Sequence, residues 1–302
     1  MTARVFIHVG VPKSGTSTLQ LDVFPKHEEI DFRFWPKRDT IEGLFPCLYG
    51  DTLYDDDAAF EACARRIAES HAGTEGTVLY SREHLTHQRY DRGTMARRLR
   101  RLFGGASIIL TIRNQFDWVE SSYVWDLRLL REPWRGGLPP RLESYLASQW
   151  RERHRSRLAS GDFGALARLY TELFGRERVL VLAFEDMVAR PERYAEALFG
   201  FLGVSRERGL ELLAAKHRNP RLTERRYALW YWRAIGMPMA LQRLLYGRVA
   251  LPGADRLLDA GPAKRAPLPE RWREELGRHY APGNCYLERE FGLDLAGHGY
   301  PV

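Results

Sequence analysis

The sequence predicts an α/β domain of three layers, a central and mainly parallel sheet flanked by helices, and three observations carry that prediction. Short runs rich in β-branched and apolar residues, opening at residue 5, at 77–80 (TVLY), at 106–112 (ASIILTI) and at 178–184 (RVLVLAF), alternate with stretches of helical tendency. That is the order right-handed crossovers impose on a parallel sheet. The first run breaks at Gly10 and Pro12 into a hydroxyl-rich loop and resumes as helix-compatible sequence, so strand, tight loop and helix follow one another. A chain of 302 residues also suffices to bury a sizeable core as one domain with a substantial helical appendage.

The first unit, residues 5–19 (VFIHVGVPKSGTSTL), has the chemistry of a phosphate cradle. A helix start leaves backbone N–H groups without intrahelical partners, and glycine at position 15 lets the backbone come close to a ligand. The hydroxyls of Ser14, Thr16, Ser17 and Thr18 add donors, and Lys13 supplies the charge. A nucleoside-triphosphatase loop would place its lysine after the last glycine, with a hydroxyl beside it for magnesium. Here Lys13 precedes Gly15, so that pattern fails.

Residues 24–57 are rich in Pro, Asp and aromatics without sustained periodicity and read as a loop-rich insert near the cradle, of the kind that holds acceptors. A helix is expected over 58–71, with Phe60, Cys63, Ala64 and Ile67 on one side. The strand at 77–80 runs into Ser81-Arg82-Glu83-His84-Leu85, and in open parallel sheets the C-terminal strand ends form the ligand crevice, which brings Glu83 and His84 near the cradle. A basic helix at 94–103 precedes the strand at 106–112, the cleanest buried run in the chain. Arg113 ends that strand and Ser121 stands two turns into the next helix, positions from which both can converge on one phosphate. Residues 141–174 are helical in tendency with a break at 160–162. Beyond the strand at 178–184, Lys216 to Arg221 form a basic loop able to close over a ligand, and Tyr227, Trp230, Tyr231 and Trp232 cluster on a segment read as core packing in preference to a lid, an acceptor helix or a membrane-surface helix.

Two of these segments resemble a known family. P-K-S-G-T at 12–16 is similar to the 5′-phosphosulfate loop of sulfotransferases that use 3′-phosphoadenosine 5′-phosphosulfate (PAPS), and R-N-x-x-D-x-x-x-S-x-Y at 113–123 is similar to their 3′-phosphate motif. The run FGRERVLVLAFEDM, the following helix ending Phe-Leu-Gly, and residues 267–302 with Asn284, Glu288 and the closing Gly-Tyr-Pro also resemble bacterial members. The resemblance implies the P-loop-NTPase-like sulfotransferase fold over a single domain, 1–302, with a nucleotide-binding core at 1–215 and a helical and loop portion at 216–302 that serves the acceptor. It implies PAPS as co-substrate, 3′-phosphoadenosine 5′-phosphate (PAP) as product and no required metal. Lys13 and the residues Ser14, Gly15, Thr16, Ser17 and Thr18 would hold the 5′-phosphate, and Arg113 and Ser121 the 3′-phosphate. Lys13 would also act in catalysis, stabilising charge on the leaving group. Two residues compete for the general base: His84 stands where cytosolic members carry Lys-Thr-His-Leu, and Ser81-Arg82-Glu83 resembles the Ser-Ser-Glu of bacterial members, which favours Glu83. Glu28 and Glu29 remain alternatives. The acidic pair Glu185 and Asp186 is expected to be structural, and the late Arg-Lys-Gly segment of cytosolic members has no clear copy here.

The formal charge of +7 suits an anionic ligand such as a nucleotide bisphosphate or an acidic glycan, and equally a GC-rich coding sequence. Three cysteines, Cys47, Cys63 and Cys285, without metal spacing, suggest neither a disulfide framework nor zinc, so a reducing cytoplasm is the expected compartment. No leader and no membrane span are expected. The acceptor is expected to be a small molecule or glycan, nucleic acid is not expected as a partner, and a homodimer stays open. A magnesium-dependent phosphotransferase is the rival enzyme reading, and a basic binder of nucleic acid or sulfated polymers the non-enzymatic one; dispersed basic residues without a nucleic-acid motif disfavour the latter.

Overall fold

The computed structural model describes residues 3–34, 44–50, 56–129, 140–215, 222–234, 236 and 254–302. Five strands, β1 (Arg4–Gly10), β2 (Ile30–Phe34), β3 (Thr77–Ser81), β4 (Ser107–Ile112) and β5 (Val179–Ala183), form one sheet in the order β2-β3-β1-β4-β5. Every pairing is parallel. The first strand in sequence is thus the middle strand in space, and β3, β4 and β5 are buried along nearly their whole length, as strands covered on both faces must be.

Alternation along β1 assigns its two faces. Ile7 and Val9 join a core cluster with Val78, Tyr80, Ile108 and Leu110, covered by helices that include α3 (Asp57–His71), α4 (Arg92–Leu102), α5 (Gln115–Leu129), α7 (Phe163–Phe174) and the long C-terminal helix Glu270–Phe291, the short α1 (Thr16–Thr18) lying just after β1. Phe6 joins Leu79, Ile109 and Leu182 on the opposite face, beneath Leu19, Val23 and Phe24 and beneath the helix Pro191–Leu202, which provides Tyr194, Leu198 and Phe199. The expected break between α6 (Leu142–Arg151) and α7 is a 3-10 turn, Arg157–Gly161, and Asp162 then caps α7 by accepting from the Ala165 amide.

The insert expected to be loop contains a strand. β2 sits at the edge of the sheet, where only Ile30 among its described side chains is buried and where Asp31 and Arg33 point the other way; its strict alternation of apolar and charged residues is only five residues long and is lost among the Pro, Asp and aromatic residues of the insert. Arg33 is held there by Asp31, Ser70 and the Tyr80 hydroxyl. A short helix, α2 (Leu44–Tyr49), follows in the same insert; residues 35–43 and 51–55 lie outside the described residues. No helix among the described residues is long and apolar enough to cross a membrane.

Candidate active site

The C-terminal ends of β1, β3 and β4 meet under the loop of residues 10–16. Three of its residues, Gly10, Lys13 and Gly15, have positive φ, and Lys13 is the non-glycine among them at φ 72°. Gly15 has a second constraint, since a Cβ there would lie 2.6 Å from Met187 Cε and 2.8 Å from Phe184 Cδ2. The helical run that follows is an α turn at Thr16–Thr18, a π segment at Leu19–Val23 and a 3-10 turn at Phe24–Lys26. Trp118 Nε1 donates to Pro12 O at 2.7 Å and pins the loop to α5.

Ser14 does not face a ligand. It is 1% exposed, its hydroxyl turns inward to the carbonyls of Val11 and Thr111 (2.8 Å to the latter), and its amide bonds Val11 O. The Thr18 amide bonds Gly15 O. The amides of Gly15, Thr16 and Ser17, by contrast, have no recorded intramolecular partner among the described residues.

Beneath the loop lies a buried polar chain that sequence reading missed. Gln20 Nε2 donates to Ser81 Oγ at 2.8 Å, Ser81 Oγ lies 2.7 Å from His8 Nδ1, and His8 Nε2 lies 3.3 Å from Thr111 Oγ1, which donates to Gly10 O at 3.1 Å. One directional assignment satisfies every proton: Ser81 donates to Nδ1, and Nε2–H donates to Thr111. The chain ties the strand that enters the loop to the helix that leaves it. His8 is fully buried, and desolvation lowers its pKa to about 3 from 6.5, so the ring is neutral at neutral pH. Between those values the unfolded chain binds a proton that the folded chain refuses, so this contribution is complete above pH 6.5 and is lost as pH falls, at about 1.4 kcal/mol per pH unit. The wild type is therefore expected to lose more stability than His8→Asn between pH 7.5 and pH 4.5, measured by urea unfolding; equal losses would remove His8 from the account.

At the end of β4, Arg113 Nη1 donates to Lys13 O at 3.3 Å, its guanidinium lies 5.2 Å from the Phe184 ring centre, and Asp117 stands 3.9 Å from Nη2. Arg113 Nε is buried without a hydrogen-bond partner among the described residues. Asp117, Ser121 and Trp125 recur every fourth residue along α5 and share one face. That face lies along the loop, since Lys13 Nζ sits 4.0 Å from the centre of the Trp125 ring. Lys13, Arg113 and Ser121 are thus brought together. Trp125 gave no cue in the sequence beyond its spacing from Ser121.

Glu83 opens the 3-10 turn after β3, and Thr16 Oγ1 donates to its Oε2 at 2.5 Å, so the carboxylate belongs to the loop's own hydrogen bonding. Gly10 allows this approach, because a Cβ there would lie 3.0 Å from Glu83 Cα. His84 turns instead to His87, ring centres 5.9 Å apart, and burial and Arg82 hold its pKa below the usual histidine value. Glu28 and Glu29 are not at the site: they precede β2, at the N-terminal ends of the strands, where Glu28 pairs with Arg208 at 2.9 Å and Glu29 accepts from the Ser205 amide. Their place in sequence, just after the first helical run, gave no hint that the chain had by then crossed to the far end of the strands. Glu185 and Asp186 are structural contacts, to the Asn114 amide and Tyr300 hydroxyl and to Arg190 and His298.

The basic loop 216–221 lies outside the described residues, as does the Trp230 side chain. On the helix Glu224–Ala234, Tyr227 packs on the core under Lys264, while Tyr231 and Trp232 are 39% and 59% exposed, so core packing explains the first aromatic and not the other two. No cluster of metal-ligating side chains occurs among the described residues.

A bacterial sulfotransferase structure, from Alicyclobacillus acidocaldarius, superposes with TM-score 0.56 over 97% of this chain and 97% of that one at 21% identity, a likeness of fold. A mouse sulfotransferase complexed with PAP matches at 14% identity and TM-score 0.42, over 94% and 88% of the two chains. A sulfotransferase domain from the curacin biosynthetic pathway matches at 15% identity and TM-score 0.39, over 72% and 79%. No curated protein sequence matches. Residues 55–208, half of the chain and the part holding Glu83, Arg113 and Ser121, match the profile of the sulfotransferase family, and the chain belongs to that family.

Proposed function

We propose that this enzyme transfers a sulfuryl group from PAPS to a hydroxyl of a carbohydrate, a lipid-borne alcohol or a small metabolite. The observation that carries the reading is the pairing of Lys13 with Arg113: two cations from different strand ends, joined by Nη1 to Lys13 O, beside the helix face that carries Ser121 and Trp125. Such a pair suits a nucleotide with phosphates at both the 5′ and 3′ positions. The amides of Gly15 to Ser17 and Lys13 would hold the 5′-phosphate, and Arg113 with Ser121 the 3′-phosphate. Ser14 and Thr18 would contribute by shaping the loop, given where their amides are bonded.

When bound, the donor supplies the sulfuryl group and a bisphosphate leaving group. In-line transfer of this kind asks the protein for positioning, for charge stabilisation and for a base on the acceptor hydroxyl. Lys13 provides the charge. Glu83 provides the base in preference to His84, because its carboxylate already sits on the loop while one oxygen accepts from Thr16 and the other is left to take a proton.

Calorimetric titration with PAP, beside ATP with magnesium, tests the reading. PAP is expected to bind wild type, and Arg113→Ala to weaken it by about 10–100-fold, the loss of charge-assisted hydrogen bonds to one phosphate. Preference for magnesium ATP would instead establish the phosphotransferase alternative.

A further inference from the structure

Arg113 is not held by its own strand alone. The next residue, Asn114, is 8% exposed and is fixed from three sides: its amide donates to Glu185 Oε1 at 2.9 Å, its Oδ1 accepts from the Phe116 amide, and its Nδ2 donates to His298 O at 3.0 Å. Glu185 in turn accepts at Oε2 from the Tyr300 hydroxyl at 2.7 Å. The residue before it, Phe184, is the ring under the Arg113 guanidinium. Gln115 and Asn284 exchange a reciprocal pair of amide hydrogen bonds, and Asn284 Nδ2 also donates to Pro301 O at 2.6 Å. Glu288 Oε1 accepts from the Ala296 amide and so turns the chain back toward this point. Asn284, Glu288 and Gly299-Tyr300-Pro301 thus converge on the peptide that aims Arg113, and Gly299, at φ 71°, has Asn114 Nδ2 3.6 Å from the place a Cβ would take.

Building on the donor site argued above, we propose that Tyr300 is a positioning residue for recognition of the nucleotide 3′-phosphate, acting through Glu185 and Asn114 on Arg113. Tyr300 is 4% exposed, and burial with the neighbouring carboxylate keeps its hydroxyl protonated and therefore a donor. Without that hydroxyl one oxygen of Glu185 loses its partner, and the carboxylate that holds the Asn114 amide is free to shift, turning the peptide that aims the Arg113 guanidinium. The 5′-phosphate loop meets this network only at Arg113, through Lys13 O, and at Phe184, through Gly15, and takes no hydrogen bond from Tyr300, Glu185 or Asn114, so the effect falls chiefly on the 3′ side.

The test compares PAP with adenosine 5′-phosphate, which lacks only the 3′-phosphate, on wild type, Tyr300→Phe and Glu185→Gln. Wild type is expected to prefer PAP strongly. Tyr300→Phe is expected to bind PAP about 10-fold more weakly, the scale of one lost hydrogen bond to a charged group, while its affinity for adenosine 5′-phosphate stays within about twofold. Weakening of both nucleotides alike would make Tyr300 merely structural, and an unchanged preference would remove it from recognition; either result overturns the inference. Should Tyr300→Phe fail to fold, Glu185→Gln carries the same comparison, since its amide keeps the size of the side chain and cannot accept from both partners at once. A wild type indifferent to the 3′-phosphate would overturn the donor assignment itself, an outcome distinct from the other two.

Discussion

Lys13→Ala is expected to lower kcat for sulfuryl transfer by about 10²–10³-fold, the loss typical when a single preorganised charge is removed from a developing anion. Nothing else in the loop can replace it. The amides that remain belong to Gly15 to Ser17, Arg113 donates to the Lys13 carbonyl oxygen, and the ammonium stands over the Trp125 ring. The left-handed backbone at residue 13 would stay strained with alanine, so Lys13→Gly is the cleaner second variant: it relieves the φ of 72° and still deletes the charge. Both variants should show the kcat loss in a PAP-release assay at saturating donor. A rise in KM with kcat intact would instead mean that Lys13 binds ground state and transition state equally.

Glu83→Gln is expected to lower kcat by about 10²–10⁴-fold, the range for a positioned general base, with PAP affinity little changed. The amide oxygen of glutamine can still accept from Thr16, so the loop keeps its shape and only proton acceptance is lost. His84→Asn is the paired control and should cost several-fold at most, since His84 is turned to His87. If His84→Asn is the crippling change and Glu83→Gln the mild one, the base moves by one residue and Glu83 becomes a loop-positioning group.

What could be read from sequence follows from how locally each feature is encoded. β3, β4 and β5 are covered on both faces and so announce themselves as unbroken apolar runs, and the loop at 10–16 carries its own punctuation in Gly10, Pro12 and Gly15. β2, at an edge, alternates strictly between apolar and charged residues, but over five positions inside an irregular insert, and so does not stand out. The candidate residues Lys13, Glu83, Arg113 and Ser121 could be gathered because parallel topology sends strand ends, and the helix starts that follow them, to one place. Its support could not. His8 finds Ser81 and Thr111 73 and 103 positions away, Tyr300 finds Glu185 115 positions away, and the direction in which Ser14 turns its hydroxyl depends on Thr111; none of these pairings leaves a trace in local composition.

The position of β1 in the middle of the sheet has a consequence for how the molecule comes into being. Of the five strands the central one leaves the ribosome before the other four, with Ile7 and Val9 exposed on one side and Phe6 on the other, and no neighbour to pair with until β3 and β4 have been made. Parallel pairings across such separations close slowly, and the waiting strand is the kind of surface that chaperones hold and that aggregates form on. The loop at 10–16 is therefore complete as sequence well before it takes its shape, which waits for Thr111 to arrive beneath it.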